Sequence, residues 1–137
     1  MKAVVLNSQA VSLLADRSGG DSLRTVIAAL AAARDEGVPV LVPAACLAEL
    51  YRGKGFDQRT DAVLGRNTGI AVRDTDRELA RTVGHLLSAA RLGSAHHVDA
   101  AVVAASLSAG GGVIVTSDPE DLGKLAAGSP AIPIHAV

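Results

Sequence analysis

The chain has 137 residues, 49% of them hydrophobic, and a mean hydropathy of +0.33, which is the make-up of one globular domain and excludes a disordered chain. A net charge of −1 excludes a global basic field for nonspecific nucleic-acid binding, and a lone cysteine, Cys46, excludes an internal disulfide. No apolar run is long enough for a membrane span and no charged-then-apolar leader opens the chain, so a reducing cytoplasm is the expected compartment.

In chain order, Ala3 to Leu6 is a solid apolar run, the mark of a central strand covered on both faces, and it ends at Asn7. Ser8 to Asp16 predicts a short helix, closed by Ser18, Gly19 and Gly20. From Asp21 the apolar residues take a helical period, with Leu23, Val26, Ile27 and Leu30 on one face and Gly37 as the stop. Val38 to Val42 predicts a second strand. Pro43 then turns the chain into a helix with Glu49 in its second turn, broken by Gly53 and Gly55. Residues 56–66 predict a weaker surface helix and Ile70 to Val72 a third strand. Thr75 with Glu78 reads as a capping box before a long helix whose stripe is Leu79, Val83, Leu86, Leu87 and Ala90. Val98 to Ala109 predicts an apolar helix ended by Gly110, Gly111 and Gly112, and the β-branched residues of Val113 to Thr116 a buried strand. Asp118 and Pro119 open a helix over 119–127, and Ile132 to His135 gives a last short strand.

Alternating strands and helices predict an α/β sandwich with a parallel sheet, as a single domain over 1–137. A helix that joins parallel strands runs antiparallel to them, so its first turn lies beside their C-terminal ends. Asp99 opens such a helix, and Asp118 follows a strand. Asn7 ends the first strand, and Glu49 comes early after the second. All four are therefore expected at the sheet edge where α/β proteins place their sites.

Taken singly, each has a plain structural role: Asp118 as a helix cap, Asp99 facing a helix dipole, Asn7 capping a turn, Glu49 on an exposed helical face. Together they are like charges at close range, which a divalent cation would compensate. Oxygen ligands suit Mg2+ or Mn2+, and no Cys/His spacing selects zinc. Thr116 and Ser117 are candidates to orient water or phosphate, with strand-end and capping roles accounting for them equally, and Asp121 is a candidate outer ligand against the plainer reading of a residue that favours the helix dipole. Between residues 51 and 73 the chain carries a local excess of three positive charges. Arg52, Lys54 and Arg73 are the candidates to meet an RNA backbone, against the plainer reading of a solvated helical surface. With Tyr51 and Phe56 as the only aromatics, the core must be aliphatic and base stacking is not expected to be the main means of recognition. The apolar faces of helices 23–34 and 79–90 are candidate surfaces for a second copy or a partner helix.

These stretches resemble the PIN-domain ribonucleases, and most closely the VapC toxins of type II toxin–antitoxin pairs. AVVLNSQA resembles that family's first strand, which normally ends in aspartate. LAEL resembles the second acidic motif with Glu49, HHVDAAVVAA the third with Asp99, and VIVTSDPEDL the fourth with Asp118. The resemblance implies a PIN-like three-layer sandwich with a central parallel sheet of about five strands. It also implies Mg2+-dependent cleavage of RNA, homodimers, and inhibition by a cognate VapB antitoxin. One position departs from the pattern: Asn7 has nearly the shape of aspartate without its charge. The lost attraction to a divalent ion is on the order of several kcal/mol. Weaker metal binding and little or no catalysis are expected of the chain as written. Either an aspartate has been replaced or a natural member has lost activity, and retention of the other three acids favours the first. A noncatalytic PIN-fold module binding RNA or protein is the alternative. A receiver or phosphatase would need a nucleophilic aspartate where Asn7 stands.

Overall fold

A computed structural model describes residues 2–17, 19–66, 69–116, 119–127 and 133–136, without the side chains of 121, 135 and 136. The elements follow in the order β1 (Ala3–Leu6), α1 (Ser8–Asp16), α2 (Asp21–Glu36), β2 (Val40–Pro43), α3 (Ala44–Leu50), α4 (Lys54–Arg66), β3 (Ile70–Arg73), α5 (Arg77–Ala90), a 3-10 turn at Ser94–His96, α6 (His97–Ser108), β4 (Gly112–Thr116), α7 (Pro119–Ala126) and β5 (Ile134–Ala136). The strands form one parallel sheet in the order β3-β2-β1-β4-β5. The chain is thus the expected α/β sandwich, with β1 at its centre.

The apolar run of β1 is buried as its composition requires: Ala3, Val5 and Leu6 lie in the core. In register with Ala3 stands Gly112, where a Cβ would collide with the Ala3 carbonyl, so β4 can approach β1 this closely only with glycine there. One face of the sheet is covered by α6, which packs against β1, β2 and β4. Every residue from Ala100 to Ser106 is buried, as an all-round apolar helix demands. Ser106 fits there because its hydroxyl donates to the Gly112 carbonyl at 3.2 Å. Each buried valine on α6 contributes about 1.5–3 kcal/mol. A second layer of α5 and α7 packs outside α6.

The opposite face is covered more loosely. Only Val26 and Ala33 of α2 are buried, Ile27 is exposed, and a cavity of about 720 Å³ separates the alanines of α2 from Val4 and Val113. All the buried hydrophobics among the described residues are aliphatic or Cys46, and Tyr51 and Phe56 lie at the surface.

Several boundaries differ from the sequence reading; β5 runs over Ile134–Ala136, and Ile132, its expected start, lies outside the described residues. β2 begins at Val40 because Pro39 has no N–H for the ladder; its carbonyl instead accepts the Val4 N–H at 2.9 Å. α4 starts at Lys54 rather than 56. The cap of α5 is Asp76, not Thr75: its side chain accepts the Leu79 N–H at 2.8 Å, which moves Glu78 out of capping-box register. Among the described residues no helix is long and apolar enough to cross a membrane.

Candidate functional site

The C-terminal ends of β1, β2 and β4 share one edge because the strands are parallel and in register. At the first of them Asn7 leaves the strand in an extended conformation, and its Oδ1 accepts the Ala10 N–H at 3.0 Å, capping α1. The other arm of the carboxamide, Nδ2, donates to Thr116 Oγ1 at 2.7 Å across to the end of β4. Both residues are buried, Asn7 to 8% exposure and Thr116 completely. A single side chain therefore caps a helix and clamps two strand ends.

Glu49 reaches the same edge from α3. The Ser8 hydroxyl, next to Asn7, donates to Glu49 Oε1 at 2.5 Å and lies 3.4 Å from the Cys46 carbonyl. One turn before Glu49, Cys46 is fully buried. Burial pushes its thiol up to about 12, and the charges of Glu49 and Asp99 push the same way against an opposing hydrogen bond with Ser8. The thiol is thus neutral and inert at physiological pH. Asp99 lies in the first turn of α6, which packs against β1, β2 and β4 and runs antiparallel to them, so the topology sets it at the same end of the sheet.

The structure thus joins Asn7 to Thr116 and sets Glu49 against Ser8, the neighbour of Asn7, with Asp99 at the same end of the sheet. Asp118 and Ser117 lie outside the described residues. Asp121 falls in the first turn of α7, with its side chain likewise undescribed. Arg52 stays beside the edge, its Nε donating to the Glu49 carbonyl at 2.9 Å, and Lys54 opens α4 close by in sequence. Arg73 does not join them. It pairs with Asp76 at 3.2 Å and reaches Ser108 at 3.4 Å, at the far end of α6, about 13 Å along the helix axis from Asp99. Sequence reasoning missed Ser8, the residue that holds Glu49; its place beside Asn7 at the start of α1 was the only signal.

Among the described residues no three His, Cys, Asp or Glu side chains form a group able to hold a metal ion. The donor set explains this. Glu49 and Asp99 supply two carboxylates, while the Asn7 carboxamide has its oxygen on the α1 cap and its NH2 on Thr116. An aspartate in the same pose would keep the cap with one oxygen. With the other it would accept from the Thr116 hydroxyl.

No family model matches the chain, and no curated protein matches it. Solved structures do. A chain of VapBC2 from Rickettsia felis, bound to a DNA fragment from its promoter, superposes with a TM-score of 0.69 at 13% identity, over 98% of both chains. A chain of DNA-bound VapBC from Salmonella typhimurium gives 0.65 at 15% identity, over 99% of this chain and 98% of that one. A toxin–antitoxin complex from Klebsiella pneumoniae gives 0.63 at 14%, over 95% of each. At this identity the likeness shows the fold, the PIN-like sandwich expected from the sequence motifs, along essentially the full length of the chain.

Proposed function

We propose that the chain is the toxin of a VapBC-type pair: a PIN-like endoribonuclease that hydrolyses RNA phosphodiesters with Mg2+ or Mn2+. On this reading it acts in the cytoplasm as a homodimer and is restrained by a VapB-like antitoxin. The observation that carries the proposal is the pair of hydrogen bonds Asn7–Thr116 and Ser8–Glu49, which lock three separate stretches into one acidic edge. The full-length likeness to VapBC chains supports it.

Glu49, Asp99 and Asp118 would hold the metal, with Asn7 standing where a fourth acid is expected. Bound Mg2+ supplies a water that ionises more readily and positive charge against the phosphate oxygens. The rest is done by the chain. Ser8 fixes the Glu49 carboxylate, Cys46 remains neutral beneath it and adds no further charge, and Asn7 holds β1 to β4. With a carboxamide at position 7 the edge is short of negative charge, and the Asn form is impaired.

Purified Asn7→Asp protein should cut RNA in Mg2+ and stop when EDTA is added, while the parent chain does neither. An Asn7→Asp protein as inert as the parent overturns the reading. One observation favours a second reading, a noncatalytic PIN-fold module that binds RNA or protein: both arms of Asn7 are already satisfied within the protein. Calorimetric titration of Asn7→Asp with Mg2+ separates the two, since the module takes up no metal.

A further inference from the structure

Glu49 and Arg52 stand three positions apart at the end of α3, the spacing of a helical ion pair, yet they form none. Among the described residues the ion pairs are Arg24–Asp21 and Arg73–Asp76. The Glu49 carboxylate is engaged by the Ser8 hydroxyl instead. Arg52 turns to the backbone. Its Nε donates to the Glu49 carbonyl at 2.9 Å, which satisfies an end carbonyl of α3. That bond uses one of the five N–H donors of a guanidinium and leaves the four on its terminal nitrogens. The nearby acids of the next segment do not take them. Asp57 accepts the Gly53 N–H at 3.1 Å, and Asp61 accepts the Tyr51 hydroxyl at 2.7 Å.

The cations around it are placed differently. Arg59 lies over the Phe56 ring at 4.9 Å from its centroid, Arg73 is paired with Asp76, and Lys54 carries a point charge rather than a fork. Arg52 is exposed, and it is tied to the backbone of the same residue that brings a carboxylate to the edge. Acidic side chains repel the phosphates of RNA, so a fixed cation beside them has a use that capping alone does not require. A guanidinium fork matches two oxygens of one phosphate.

We propose that Arg52 is the phosphate-binding residue of this edge, its two terminal nitrogens gripping one phosphate of single-stranded RNA and setting the strand against Glu49. This deepens the ribonuclease reading and rests on it for the choice of RNA.

The parent chain suits the test because it is expected to leave RNA uncut. A short, fluorescently labelled single-stranded RNA of mixed sequence is titrated with protein at several salt concentrations, and binding is read as anisotropy. Arg52→Ala should weaken binding about tenfold and reduce the slope of log affinity against log salt by about 0.7, the contribution of one single-strand phosphate. Arg52→Lys should keep the slope and lose about threefold, because it keeps the charge without the fork. Melting curves show whether the end of α3 is disturbed, and the salt slope is a readout that a capping role would not move. Binding by Arg52→Ala equal to the parent, or weaker with an unchanged slope, overturns the proposal. Arg52→Lys as tight as the parent overturns the fork. If Asn7→Asp cleaves RNA while Arg52→Ala binds like the parent, the nuclease reading stands without Arg52. If Arg52→Ala behaves as expected while Asn7→Asp stays inert, the phosphate contact stands and the nuclease reading falls. If neither the parent nor Asn7→Asp binds the RNA, both fall together.

Discussion

The corner between β1 and α1 and the corner between β3 and α5 are built almost identically. Asn7 sits at φ −88°, ψ −178° and Asp76 at φ −84°, ψ −177°. Each accepts the N–H three residues on, at 3.0 and 2.8 Å. The surroundings differ. Asn7 is buried, and its partners are three backbone groups, the Ala10 and Val11 N–H and the Val115 carbonyl, and the Thr116 hydroxyl, none of them cationic. Asp76 is exposed and faces Arg73, and the Leu79 N–H and the Arg73 guanidinium hold its carboxyl below the usual carboxylate range. The same backbone thus accepts either a carboxamide or a carboxylate. Shape does not decide between them at position 7. Charge does: a buried carboxylate there needs a cation that the described protein groups around Asn7 do not supply.

The sharpest way to break this comparison is Asn7→Asp. The gain in Mg2+-dependent RNA cleavage should be the largest effect of any single change, on the order of 100-fold or more, since several kcal/mol of attraction to a divalent ion are at stake. Without metal the same variant should be less stable than the parent by about 1–3 kcal/mol, from a buried charge without a cation. Saturating Mg2+ should restore that stability, because the ion binds the folded state alone. Thermal melts with and without Mg2+ check this; a melt indifferent to Mg2+ means that position 7 faces no metal.

How far this corner was legible in the sequence depends on which interaction is meant. Asn7 at the end of an apolar run announces a cap, and Ala3 to Leu6 announces a central strand, because both are encoded within a few residues. The gathering of Glu49 and Asp99 at one edge follows from parallel topology, which alternation of strands and helices reveals. The Ser8–Glu49 and Asn7–Thr116 bonds span 41 and 109 positions, and no local pattern encodes them. Arg73 shows the converse. Sequence proximity to other cations grouped it with them, yet its contacts with Asp76 and Ser108 hold it at the other end of α6. Thr75 and Asp76 are adjacent cap-formers, and only coordinates show which of them the helix uses.

Asn7→Ala removes the cap and the clamp at once. It should lower stability by about 2–3 kcal/mol, read as a shifted denaturant midpoint at constant slope. Thr116→Val removes the clamp but not the cap and leaves Nδ2 without its partner, at a cost of about 1–2 kcal/mol, while Thr116→Ser keeps the hydroxyl and should be near neutral. A valine variant as stable as the parent would mean that the strand ends are held without this bond.

The smallest effect is the one that tests the comparison most directly, because it concerns sign rather than size. A lowered carboxyl pKa at Asp76 means that its ionised form is favoured in the folded protein. The stability it contributes is present above the unfolded-state value of about 3.9 and is lost as pH falls through the lower folded value. Asp76→Asn keeps the cap acceptor, as Asn7 demonstrates, and discards the charge. Parent and variant should therefore differ near neutrality and converge below about pH 4. Position 7 should show the reverse. In metal-free Asn7→Asp the buried carboxylate is disfavoured when ionised, so its deficit against the parent should shrink as pH falls and protonation discharges it. Two caps with the same dihedrals would then give pH slopes of opposite sign. Slopes of the same sign would mean that the surroundings of Asn7 already stabilise an anion, and the case for an external cation at that corner would fail.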